Sequence, residues 1–95
     1  MAVAVELKLP RATLEQYDEV MRLMGFTPGG KGAPGGLFHW VTPTDDGIRV
    51  VDVWESKETF EQFAQEKIGP SMAQAGYTEQ PEITFSEIHN YLYGG

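Results

Sequence analysis

The sequence has no cysteine in its 95 residues, which excludes thiol nucleophiles, dithiol redox pairs, disulfide staples and cysteine-ligated zinc. It is also short of positive charge, with seven Lys and Arg against fourteen Asp and Glu and a net charge of −7. A chain of that sign lacks the basic field that phosphate binding needs, so no nucleic-acid partner is expected and an anionic membrane surface is disfavoured. No apolar run approaches the ~20 residues of a membrane-spanning helix. The opening Met1 to Glu6 has no basic segment of the kind a signal peptide carries, so the expected location is the cytoplasm. Histidine is scarce as well, with only His39 and His89. Their spacing with Asp52 does not enforce a two-His, one-carboxylate triad, so no metal is expected. Any chemistry must rest on His, Asp, Tyr and Trp.

What is present is one small domain, residues 1–95, built of alternating strands and helices. In residues 2–8, Val3, Val5 and Leu7 alternate with Ala4, Glu6 and Lys8, a strand pattern that Pro10 ends. Thr13 with Gln16 three residues later is a capping box. It opens a helix with Leu14, Tyr17, Val20, Met21 and Met24 on one face, and Gly25 stops it. Residues 26–36, rich in proline and glycine, predict a mobile loop or lid. Its near-match to a phosphate-binding loop fails, because no Ser or Thr follows Lys31 and the segment follows a helix rather than a strand.

Residues 37–44 and 48–55 are strand runs around Asp45-Asp46-Gly47, where a positive-φ glycine is expected to make the turn. Ser56 caps a second helix with Phe60, Phe63, Ala64 and Ile68 inward, and Gly69-Pro70 is expected to interrupt it before a short helical piece to Gly76. Residues 82–92 hold a last strand with Ile83, Phe85 and Ile88. This order is the ferredoxin-like βαββαβ plan, an α+β fold with a four-stranded antiparallel sheet and its helices on one face. Val51 and Val53 give the bare face apolar groups, and a short chain without disulfides has a motive to cover them. A homodimer through the face without helices is therefore expected.

Asp52 shares its face with Trp54 by strand alternation, and a carboxylate between valines needs a partner. His39 is one. A two-residue Asp46-Gly47 turn would bring His39 to that face opposite Trp54, whereas a three-residue Asp45-Asp46-Gly47 turn would bring Trp40 there instead. His89, followed by Asn90, is the second imidazole. A histidine oriented by a carboxylate can act as a general base near neutral pH, abstracting a phenolic or α-carbonyl proton from an aromatic substrate. Tyr17, on the inner helix face, is placed to reach the same cavity.

The run Val50-Val51-Asp52-Val53-Trp54-Glu55-Ser56, followed by Phe60 and Phe63, resembles the strand-to-helix junction of the dimeric α/β-barrel superfamily, in particular its antibiotic-biosynthesis-monooxygenase-like members. Phe38-His39, Pro43-Thr44-Asp45, Gly47, Ala75-Gly76 and His89-Asn90 extend the likeness to a branch of short bacterial proteins. The resemblance implies a homodimer whose two sheets face each other as a dimeric α/β barrel, with a pocket in each subunit between sheet and helices. It also implies a small-molecule enzyme, a monooxygenase or related cyclase or isomerase, that acts on an aromatic or polyketide-like substrate without a cofactor. The alternative is a non-catalytic dimeric ligand-binding or stress-associated protein. Haem-degrading members use an Asn on the first strand and a His on the second helix, and only their Trp has a counterpart here, Trp54. The candidate proton handlers are then His39, Asp52 and His89, and the candidate substrate contacts are Trp54, Tyr17, Trp40, Phe63 and Asn90.

Overall fold

A computed structural model describes residues 2–92. Four strands form one antiparallel sheet: β1 (Val3–Pro10), β2 (Gly36–Thr44), β3 (Gly47–Trp54) and β4 (Glu82–Glu87), in the order β2-β3-β1-β4. Helix α1 (Leu14–Met24) links β1 to β2. A second helical arm links β3 to β4 and consists of α2 (Lys57–Phe63), a π-helical segment (Ala64–Ile68) and α3 (Gly69–Gln74). This is the ferredoxin-like plan that the element order predicts.

Local chemistry sets the helix ends. The Thr13 hydroxyl accepts from the Gln16 N–H while the Gln16 side chain accepts from the Thr13 N–H, closing the capping box. Gly25 ends α1 at φ 84°, a left-handed conformation that glycine takes without penalty. Ser56 Oγ accepts from the Thr59 N–H at 3.1 Å and starts α2. Gly69-Pro70, expected to interrupt the arm, leaves no gap, and the short helical piece expected from Pro70 onward is α3. The π segment shifts the ladder so that the Gly69 N–H reaches the Ala64 carbonyl, and Pro70 enters α3 in its first turn, where a missing N–H is tolerated.

Strand alternation divides the sheet. Val5, Leu7 and Leu9 of β1, Ile48, Val50 and Trp54 of β3, and Phe60 and Tyr77 from the arm and its exit form the buried core, with Val3, Val41 and Phe85 packed against it. Leu14, expected on the inner face of α1, is instead 43% exposed in the helix's first turn. The other sheet face carries Phe38, Trp40, Val51 and Val53 with the Glu6–Arg49 ion pair, and Phe38 is 54% exposed. Arg49 holds the Glu6 carboxyl below the usual carboxylate range, chiefly by hydrogen bonding, and lies over the Trp40 ring at 5.5 Å.

The β2–β3 hairpin turns at Asp45-Asp46, with Thr44 paired to Gly47, in neither register expected from the sequence. Gly47 is not a positive-φ residue. A Cβ there would collide with the Leu9 carbonyl oxygen and crowd the Arg11 N–H, so Gly47 serves the close approach of β3 to the end of β1. The Arg11 N–H donates to the Asp46 carbonyl at 2.5 Å and ties the same corner. Strand β4 stops at Glu87, paired with Val3 of β1, short of the expected residue 92, with one further bond from the Ile88 N–H to the Ala2 carbonyl. The end of the 26–36 loop is anchored: Ala33 packs on the core and the Gly35 carbonyl accepts from the Glu55 N–H at 3.0 Å.

Candidate functional site

Strand β3 alternates Val51 and Val53 outward with Ile48, Val50, Asp52 and Trp54 inward, so a carboxylate enters the core among apolar neighbours. Asp52 is 6% exposed, the one buried charged side chain among the described residues. An unpaired charge there would cost several kcal/mol, which the fold avoids by giving each oxygen a donor. Oδ2 accepts from the Trp54 indole N–H at 3.0 Å, and Oδ1 lies 2.5 Å from His39 Nδ1. His39 stands directly opposite Asp52 in the β2–β3 pairing, and its imidazole remains 40% exposed because β2 is an edge strand.

The hydrogen-bond pattern assigns the imidazole proton. A carboxylate only accepts, so the neutral imidazole of His39 carries its proton on Nδ1 and has its lone pair on Nε2. That lone pair receives the Tyr17 hydroxyl from α1. The two rings are parallel to within 7°, with centroids 5.8 Å apart. Burial, with lesser contributions from Asp52 and Asp18, pushes the Tyr17 phenol up to about 12, so at neutral pH it is a donor. Tyr17, His39, Asp52 and Trp54 thus form one continuous hydrogen-bonded run from α1 through β2 to β3. Its logic is that of a carboxylate-oriented histidine beside a hydroxyl.

Trp54 joins this run to an aromatic wall. Its ring meets Phe60 edge-on at 5.6 Å and Phe63 at 5.3 Å, and Phe63 in turn meets Phe26. Beyond Phe60, a groove of about 500 Å³ opens between β4 and the second helical arm, lined by Leu7, Phe60, Ile68, Met72, Tyr77 and Phe85 among others. The helical part of its lining includes Ala64, Gln65 and Ile68 of the π segment.

Of the residues singled out from sequence, the fold unites Tyr17, His39, Asp52 and Trp54 and sets Phe63 behind Trp54. It does not bring in the other three. Trp40 pairs with Val51 and faces the helix-free side, since the two-residue turn fixes the parity that puts His39 with Asp52. His89 and Asn90 are exposed beyond the last paired residue of β4, and no hydrogen bond joins either to the run. Among the described residues, no group of three or more His, Asp or Glu side chains is placed to hold a metal ion. Phe60, Ile68 and Met72, which line the groove, read from sequence as inward packing residues, and their helical spacing is the only signal they carry. Among the described residues no helix is long and apolar enough to cross a membrane.

No family model matches the chain, and no curated protein matches it in sequence. Solved structures do match it in shape. SnoaB from Streptomyces nogalater, a cofactor-independent oxygenase, aligns over 96% of this chain and 95% of its own with 17% identity and a TM-score of 0.61. The monooxygenase from the gene ActVA-Orf6 of Streptomyces coelicolor, solved in complex with nanaomycin D, aligns over 99% of this chain and 92% of its own with 19% identity and a TM-score of 0.55. A conserved protein from Methanosarcina mazei Go1 aligns over 90% and 91%, with 16% identity and a TM-score of 0.59. The chain therefore has the fold of antibiotic biosynthesis monooxygenases, the group that its strand-to-helix junction resembles.

Proposed function

We propose that the chain is a cofactor-independent small-molecule enzyme of the monooxygenase type, acting on a phenolic aromatic substrate, with His39 as its general base. The observation that carries this reading is the hydrogen-bonded run Tyr17–His39–Asp52–Trp54. Asp52 fixes the imidazole tautomer and stabilises the imidazolium that forms when Nε2 takes a proton. Trp54 holds the second carboxylate oxygen, so that Asp52 keeps one orientation. The acceptor already has a phenol on it, that of Tyr17, so its geometry suits an aromatic hydroxyl. Removing that proton from a substrate leaves an electron-rich phenolate, the form that dioxygen oxidises directly. The exposed flank of His39 at the β2 edge is the route of approach.

The test is oxygen uptake and product formation with a panel of hydroxylated polycyclic phenols. Turnover by the wild type, lost in His39→Ala and in Asp52→Asn with the fold intact, is expected. A wild type inert to the whole panel would overturn the reading. Ligand binding without turnover is the second reading, favoured by the groove, which none of the proton-handling residues lines. A phenol that raises the melting temperature of wild type and His39→Ala alike, without being consumed, would support it.

The assembly belongs to the same proposal. Phe38, Trp40, Val51 and Val53 offer an apolar, helix-free face that a second copy can cover by two-fold symmetry. Light scattering should return about twice the 10.6 kDa monomer mass, and Trp40→Asp should return the monomer. A monomeric wild type at micromolar concentration would refute the dimer.

A further inference from the structure

We propose that Tyr17 is a redox-active tyrosine whose one-electron oxidation is coupled to proton transfer onto His39. The co-reactant is a one-electron oxidant such as an aryloxyl radical. In the step, the oxidant takes one electron from the Tyr17 phenol, the O–H bond breaks, and its proton forms the N–H bond at His39 Nε2. The products are a neutral tyrosyl radical, an imidazolium and the reduced oxidant.

Three features of the site support this step. An oxidised phenol is a strong acid, so its oxidation is easy only where a base is already hydrogen bonded to it, and the Tyr17 hydroxyl donates to the single free lone pair of His39. The imidazolium that results lies 2.5 Å from the buried Asp52 carboxylate, a pairing made stronger by the low local dielectric. Proton loss without oxidation is blocked, because the phenol is held as a neutral donor at physiological pH. The proton therefore does not leave ahead of the electron, and once the electron goes His39 Nε2 is in place to take it.

The molecule contains its own control. Tyr77 is buried, and its hydroxyl donates to the Pro10 backbone carbonyl at 3.0 Å, an acceptor that cannot keep the proton. The fold thus holds two tyrosines with different proton acceptors, Tyr77 in the core and Tyr17 half-buried beside it, and of the two only Tyr17 has a base.

The experiment is flash-quench oxidation with photogenerated tris(bipyridine)ruthenium(III), read as the transient absorption and electron paramagnetic resonance of the tyrosyl radical. A Tyr91→Phe/Tyr93→Phe background removes the tail phenols. The radical signal should disappear in Tyr17→Phe and persist in Tyr77→Phe. His39→Gln keeps an acceptor near the phenol but no base, and should slow radical formation about a hundredfold or more, the scale that a positioned proton acceptor contributes. Should His39→Gln fail to fold, the parent protein in heavy water gives the same answer, since coupled proton transfer requires a rate decrease there. An unchanged radical yield in Tyr17→Phe, an unchanged rate in a folded His39→Gln, or no isotope effect would overturn the proposal. None of these outcomes depends on turnover of a substrate.

Discussion

Raising the pH is the perturbation that the Tyr17 environment answers most directly. Its phenol titrates near 10.0 in the unfolded chain and is pushed up to about 12 in the fold, first by burial and then by Asp52 and Asp18. The folded state therefore binds the proton more tightly, and its stability is undiminished below pH 10. Between about pH 10 and 12 the unfolded chain releases this proton while the folded one retains it, so stability falls as the pH rises and then levels off. Two pKa units at about 1.36 kcal/mol each set a ceiling of about 2.7 kcal/mol, and the partial solvent access of the ring reduces this to about 1–2 kcal/mol. Urea unfolding of the wild type and Tyr17→Phe at about pH 9 and about pH 12 isolates the effect. All other groups are common to both proteins and cancel. With a slope of about 1–1.5 kcal/mol per molar urea, the wild-type midpoint should drop about 1 M further than that of the variant. Equal alkaline losses in the two proteins would refute the account of Tyr17.

The remaining expectations concern the same scaffold. Asp52→Ala strands the Trp54 N–H and the His39 Nδ1 proton in or near the core and should cost at least about 2 kcal/mol, with indole fluorescence reporting the altered Trp54; a loss under 0.5 kcal/mol would show that water replaces the carboxylate freely. Phe60→Ala empties a site only 1% exposed between Trp54 and Phe85 and should cost about 3–5 kcal/mol in urea unfolding. Gly47→Ala should cost about 1–3 kcal/mol by pushing β3 away from Leu9, whereas Gly32→Ala, with open space around it, should stay within about 0.5 kcal/mol.

The parts of this protein that depend on near neighbours were legible in its sequence. Capping by Thr13, Gln16 and Ser56 and the Gly25 stop act within a few residues, and strand alternation fixes Asp52 and Trp54 on one side of β3. Element order then leads to the sheet order β2-β3-β1-β4, because short right-handed connections leave few alternatives.

The site itself was only half legible. That Asp52 needs a partner follows from its apolar neighbours, but which of His39 and Trp40 meets it depends on the turn. The turn is decided where Gly47 lies against the Leu9 carbonyl, on a strand distant in sequence. Pro70 at the start of a short helical piece was legible, and the piece is α3; what local reading missed is that the π segment before it shifts the hydrogen-bond ladder and leaves the arm without a gap. His89 reads as a strand residue, but the last β4 pairing is that of Glu87 with Val3. Sequence alone determined the order of strands and helices, the caps at Thr13, Ser56 and Gly25, and the two faces of β1 and β3, since those follow from local backbone chemistry. Tertiary structure alone decided that Tyr17, His39, Asp52 and Trp54 meet, because register and close approach are set by contacts between strands and helices that local periodicity does not encode.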